Sequence, residues 1–170
     1  MPERQTLARA RADKRQGKAA STQAGEFIKE EMDHIRAGVH GARSTKQAIA
    51  IGLSKARRAG VDLPPSASGK ASAATRKRAS RDLSRGRSAA ARTNPKRSRA
   101  TLNALKREGT APASRPALAR QARSAARHRS PAQRSASSKR ASHTKGAAGR
   151  SAAAAKSART RSMRRRSTAG

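Results

Sequence analysis

At Pro64 the chain changes character, and that break limits what it can fold into more than any other feature. Residues 1–63 hold 13 Lys/Arg against 7 Asp/Glu, whereas residues 64–170 hold 29 against 2. Behind the break the residues are mostly Ser, Ala, Gly, Arg and Lys, and the whole chain has one Phe and no Trp or Tyr. Burial stabilises by roughly 25 cal/mol per Å² of apolar surface, while ordering a residue costs about 1–2 kcal/mol. Alanine offers too little surface to offset that cost, so the sequence reads as a nearly balanced head followed by a polycationic tail that is disordered in isolation.

Within the head, Ser44–Gly60 carries a full set of helix instructions. Ser44 or Thr45 can cap the first turn, Gln47 can reach back to it, and Gly60 supplies a left-handed stop. Ala48, Ile49, Gly52, Leu53 and Ala56 form one apolar stripe, with Lys55, Arg57 and Arg58 at the C-terminal end where the dipole favours cations. Before it, Ser21, Thr22 and Gly25 read as a turn opening a helix over residues 25–38. There Phe27, Ile28, Met32 and Ile35 make an apolar face, and Glu26, Glu30, Glu31 and Asp33 cluster in the first half. This acidic group reads as a solvated face matched to the dipole; the sharper alternative is docking to a basic partner, either Lys55, Arg57 and Arg58 or a second copy. GVHGAR (Gly38–Arg43) joins the two helices as a turn, and a short exposed helix over residues 1–18, capped by Thr6 and stopped by Gly17, precedes them.

The fold class that follows is mostly α: a small helical hairpin, two main helices plus a short N-terminal helix, followed by a largely disordered basic tail with transient helices. The divisions are 1–20 for the N-terminal basic helix, 21–65 for the hairpin head and 66–170 for the tail. The hairpin core is Phe27, Ile28, Met32, Ile35, Val39, Ile49, Leu53 and Val61. So few side chains are thin support for an independent unit of this size, which favours dimerisation or a bound ligand. In the tail, Thr101–Glu108, Ser114–Arg129, Ala132–Ala141 and Ala147–Arg159 have helical character, expected to form once their charge is neutralised on a polyanion.

That charge points to counterion release on phosphate polymers. The candidate nucleic-acid contacts are Arg43, Lys46, Lys55, Arg57 and Arg58 in the head, with Arg76, Lys77, Arg78, Lys96, Arg97, Arg120, Arg123, Arg127, Arg129, Arg164, Arg165 and Arg166 behind it. Base reading has little support, because no aromatic residues are available for stacking. Thr93-Asn94-Pro95-Lys96-Arg97 has a turn-plus-basic shape able to enter a minor groove. A sequence-reading helix-turn-helix is disfavoured by the long connection GVHGAR and by the lack of a third core helix. Ser80 and Ser167 follow arginines and are candidate phosphorylation sites.

An enzyme is hard to assemble from these residues, and neither a cofactor nor a metal is expected. Glu31-Met32-Asp33-His34 has the Glu-x-x-His spacing of di-iron bundles, yet such a site needs a second copy of the motif and two further glutamates, absent here, and a dimer is what could supply the duplicate. His40, His128 and His143 read as surface residues without a carboxylate partner. There is no cysteine, hence no thiolate chemistry. No secretory h-region and no apolar run of about 18 residues is present, which places the expected location in the cytoplasm, on the nucleoid.

Ser21–Pro65, STQAGEFIKEEMDHIRAGVHGARSTKQAIAIGLSKARRAGVDLPP, resembles a family of small basic bacterial proteins of unknown function, sometimes labelled DNA-binding or plasmid-stabilisation proteins. Leu105–Arg129, LKREGTAPASRPALARQARSAARHR, is similar to an extension that relatives carry, and the tail's composition resembles bacterial histone H1-like proteins. The resemblance supplies no catalytic residues. The expected function is a histone-like, nucleoid-associated DNA-binding protein acting by phosphate contacts without sequence preference. The alternatives are an adaptor or homodimerising hairpin of plasmid-maintenance type, and an RNA- or ribosome-associated protein; a membrane partner is not expected.

Overall fold

The computed structural model describes residues 2–69, 71–88 and 94–167, the side chains of 144–145 and 164–167 excepted. These residues form seven α-helices: α1 (Arg4–Arg15), α2 (Ala20–Arg36), α3 (Thr45–Arg58), α4 (Ala73–Arg87), α5 (Pro95–Lys106), α6 (Arg115–Arg127) and α7 (Pro131–Ser167). A 3₁₀ turn, Ala111–Ala113, links α5 to α6. Residues 1–121 and 122–170 are two compact units.

The basic tail is therefore helical, and the expectation of a long disordered segment with transient helices is overturned. Burial was the wrong criterion for it. Alanine and arginine have high intrinsic helix propensity; Ser72, Asn94 and Ser130 stand at helix starts, while serines inside the runs such as Ser80, Ser84 and Ser157 donate back to the carbonyl four residues earlier. Ser72 Oγ accepts the Thr75 amide at 3.2 Å, and Asn94 Oδ1 accepts that of Arg97 at 3.2 Å ahead of Pro95 in the first turn. Ser130 and Gln133 form a reciprocal capping box at the head of α7, each side chain accepting the other's amide, at 3.2 and 3.3 Å. Gly146, at φ 64°, interrupts α7 internally.

In the first unit, α2 and α3 pack as an antiparallel pair with an apolar cluster at each end. One cluster joins Ala10 of α1, Ala24 and Phe27 of α2, Ala56 of α3 and Val61, with Leu7, Ala20, Leu53 and Leu63 around them. The other joins Met32 and Ile35 of α2, Ala42, Ala48 of α3 and Ala113, edged by Ile28, Ile49 and Leu118. The thin hairpin core is thus completed by α1 on one side and by residues 113–118 on the other, from within the same chain. Val39, expected in that core, is 52% exposed. It follows Gly38, whose φ of 73° turns the chain outward at the end of α2.

Several boundaries also move. Ser21, Thr22 and Gly25 lie inside α2, which begins at Ala20. Glu3, not Thr6, occupies the N-cap position of α1, and Thr6 is fully buried within it. Ser44 caps α3 by accepting the Gln47 amide at 3.1 Å, and Gly60 ends it at φ 87°.

Two further pieces grip the hairpin through polar contacts. α4 lies against α3: Ala79 is buried, and Asp82 accepts from Ser54 Oγ at 2.6 Å and from Arg58 Nε at 2.8 Å. The connection Gly38–Arg43 is held by the segment after α5. The Gly41 amide donates to the Leu105 carbonyl at 2.9 Å and that of Ala42 to Gly109 at 3.1 Å. Arg36 Nε donates to the Ala113 carbonyl at 2.9 Å, and Thr45 Oγ1 to that of Pro112 at 2.8 Å. Gly41 is required there, because a Cβ would collide with the Glu108 carbonyl.

Candidate functional site

The basic residues singled out from the sequence separate into two groups. Those at the end of α3 are used internally. Lys55 Nζ lies 2.6 Å from Glu31 Oε2 and 3.6 Å from Glu30 Oε1. Arg57 is buried and donates to the Leu63 and Pro64 carbonyls at 2.9 and 3.5 Å. Burial lowers its pKa from the ordinary arginine value, with the Asp82 charge opposing, and a guanidinium stays protonated regardless. Arg58, half-exposed, is paired with Asp82.

The second group faces solvent. Arg43 and Lys46 are exposed at the start of α3, Lys77 and Arg78 on α4, and Lys96 and Arg97 in the first turn of α5. Arg76 is only partly exposed. On α6, Arg120, Arg123 and Arg127 recur at i, i+3 and i+7, one face of the helix, and Arg129 follows its end. The partly buried Leu118 belongs to the opposite side of that helix, and the buried Ala117 stands one turn before Arg120. Residues 109–170 contain 16 Lys/Arg and no Asp or Glu, and every Lys/Arg side chain described there is exposed. The side chains of Arg164, Arg165, Arg166 and Ser167 lie outside the described residues, as does Thr93; Ser80 is exposed on α4.

The acidic group of α2 does not form a solvated face. Glu26 pairs with Arg9 of α1 at 2.6 Å, and Glu30 and Glu31 are 4% and 0% exposed. Glu30 Oε2 accepts the Glu3 amide at 3.1 Å. Asp33, by contrast, is exposed beside Lys29 at 3.1 Å and Arg36 at 3.2 Å; the Lys29 hydrogen bond chiefly holds its carboxyl below the usual range. Of the basic partners considered from the sequence, Lys55 is the one that reaches the buried pair.

His40 is also misplaced by the sequence reading. It is 8% exposed, and its Nε2 lies 3.3 Å from Glu31 Oε1, while Nδ1 donates to the Gly41 carbonyl at 3.1 Å. His34, one turn after Glu31, meets His40 edge-on with ring centroids 6.3 Å apart, and its Nε2 is 2.9 Å from Glu3 Oε1. One ligand atom each from Glu31, His34 and His40 lies within 4.8 Å of the others. The Glu-x-x-His spacing was the available signal. What completes the cluster is not a second copy but the chain reversal at Gly38, which no periodicity announces.

Residues 14–67 match a family described as "Family of unknown function (DUF6496)". That segment runs from the end of α1 through the α2–α3 pair. No curated protein and no solved structure matches the chain. Among the described residues no helix is long and apolar enough to cross a membrane.

Proposed function

We propose that this is a histone-like protein that associates with the nucleoid by binding duplex DNA through phosphate contacts, without strong sequence preference. The observation that supports the reading is the set of arginine-bearing helices without acidic neighbours, from α6 onward, whose described Lys/Arg side chains are all exposed. Arginine suits bidentate phosphate contact, and helices hold their guanidinium groups in fixed register without the ordering cost a flexible tail would meet. The exposed cations of α3, α4 and α5 are further candidates for phosphate contact within the first unit, while Lys55, Arg57 and Arg58 contribute to folding rather than to DNA.

The test is a salt titration of duplex binding by the full chain. If about ten basic residues engage phosphates together, log K falls against log [salt] with a slope of roughly −9. Affinity indifferent to ionic strength would defeat the reading. Competition between duplex DNA and structured RNA at one salt concentration distinguishes the DNA role from an RNA- or ribosome-associated one, and preference for RNA would redirect it.

A further inference from the structure

We propose that Glu31, His34 and His40 bind a divalent transition metal ion of zinc's ligand preference, which pins the α2–α3 connection to α2. The first argument is charge. Glu30 and Glu31 bring two carboxylates into the interior, and among the described residues Lys55 is the one fixed cation that reaches them. One negative charge is left over, and an uncompensated buried carboxylate costs several kcal/mol. The atoms agree, since Glu30 Oε1 and both Glu31 oxygens are buried without a hydrogen bond, the 2.6 Å approach of Lys55 notwithstanding.

The second argument is the tautomer. The Gly41 carbonyl can only accept, so His40 Nδ1 carries its proton, and in the neutral ring Nε2 presents a lone pair to Glu31 Oε1. Two lone pairs 3.3 Å apart repel unless a cation lies between them. Zinc–nitrogen and zinc–oxygen bonds of about 2.0–2.2 Å set ligand–ligand edges of about 3.3–3.5 Å in a tetrahedral site, so this pair already has the spacing of two metal ligands. A backbone carbonyl on the far nitrogen of a ligating imidazole is also the usual outer support, and Glu3 gives His34 a carboxylate partner of the same kind. Imidazole with carboxylate selects zinc-like ions over magnesium or calcium. His34 is the most accessible of the three, and closing the remaining gap asks mainly for its movement; water fills the fourth position.

The experiment uses the full, tag-free chain, stripped with chelator and titrated with Zn2+ against a chromophoric competitor, and with Co2+ followed by visible absorption. One equivalent is expected, with the intense d–d bands of a tetrahedral ion and an upward shift in Tm. His34→Ala and His40→Ala should abolish that equivalent, Glu3→Gln should weaken it about 10- to 100-fold, and the double variant H128A/H143A should leave it unchanged. His34 is partly exposed, so its variant tests the site even where loss of Glu31 would unfold the head. No uptake by the parent chain, or uptake indifferent to His34→Ala and His40→Ala, overturns the proposal. DNA binding by the basic helices does not enter this readout.

Discussion

A methyl group added at Gly52 would sit 2.8 Å from the Ile28 Cα, against the backbone of α2 rather than against a side chain that could turn aside. Gly52 is thus a place where α3 approaches the α2 backbone too closely for a side chain. Gly→Ala in a helix interior ordinarily gains up to about 1 kcal/mol, but overpacking costs about 1–3 kcal/mol. Gly52→Ala should therefore lower the urea midpoint. Gly25 is the control: it lies inside α2 with nothing within 4 Å of its would-be Cβ, and Gly25→Ala should raise the midpoint by the propensity gain alone. If Gly52→Ala also stabilises, the helices do not meet as described. Gly52 could be read as part of an apolar stripe; that it leaves room for the α2 backbone depends on Ile28 opposite, which a single-helix pattern does not reveal. Glu31 shows the same limit, because an acidic residue in the first half of a helix fits a solvated dipole-matched face until Lys55 and His40 are placed around it.

α4 is an element built almost without apolar side chains, and its attachment is correspondingly polar. Asp82, with Ser54 and Arg58 as donors, holds its middle, while Gly86 lies against the Arg57 carbonyl, where a Cβ would collide. Asp82→Asn keeps the shape and removes the charge. With Arg58 half-exposed and solvent-screened, the expected cost is about 1 kcal/mol. The effect should be local: amide hydrogen exchange should accelerate in α4 while the α2–α3 pair keeps its protection. Equal acceleration throughout would mean that α4 is part of the cooperative core. The contrast with α3 explains what sequence could and could not disclose about elements. Ser44, Gln47 and Gly60 spell the ends of α3 in side-chain chemistry, and its stripe supplies the period. α4 has Ala79 and a buried aspartate where a stripe would be, so hydrophobic periodicity had nothing to register. The segment from Leu105 to Ala113 was still less legible, because it grips the hairpin with main-chain carbonyls, which carry no residue identity.

Over the whole chain, the nine acidic residues all lie between Glu3 and Glu108, and seven of them form ion pairs with Lys or Arg within the first unit, while Glu3 meets His34. The positive excess is therefore concentrated where no acid opposes it, and an exchange of arginines there should be felt by a phosphate polymer and scarcely by the fold. Replacing Arg120, Arg123 and Arg127 together with Gln keeps residues of similar helix propensity on the same face of α6. Each arginine–phosphate pairing removed should reduce the salt slope on duplex DNA by about 0.9, so the triple variant should flatten it by roughly 2.7, with far-UV circular dichroism unchanged. The drop in affinity should be similar on unrelated duplex sequences, because pairing with phosphate carries no base information. Arg58→Gln is the informative comparison: its guanidinium is already matched by Asp82, so the slope should hold while stability falls. A triple variant that keeps the parent slope would show that the arginine face of α6 is not where the polymer lies, however basic the helix.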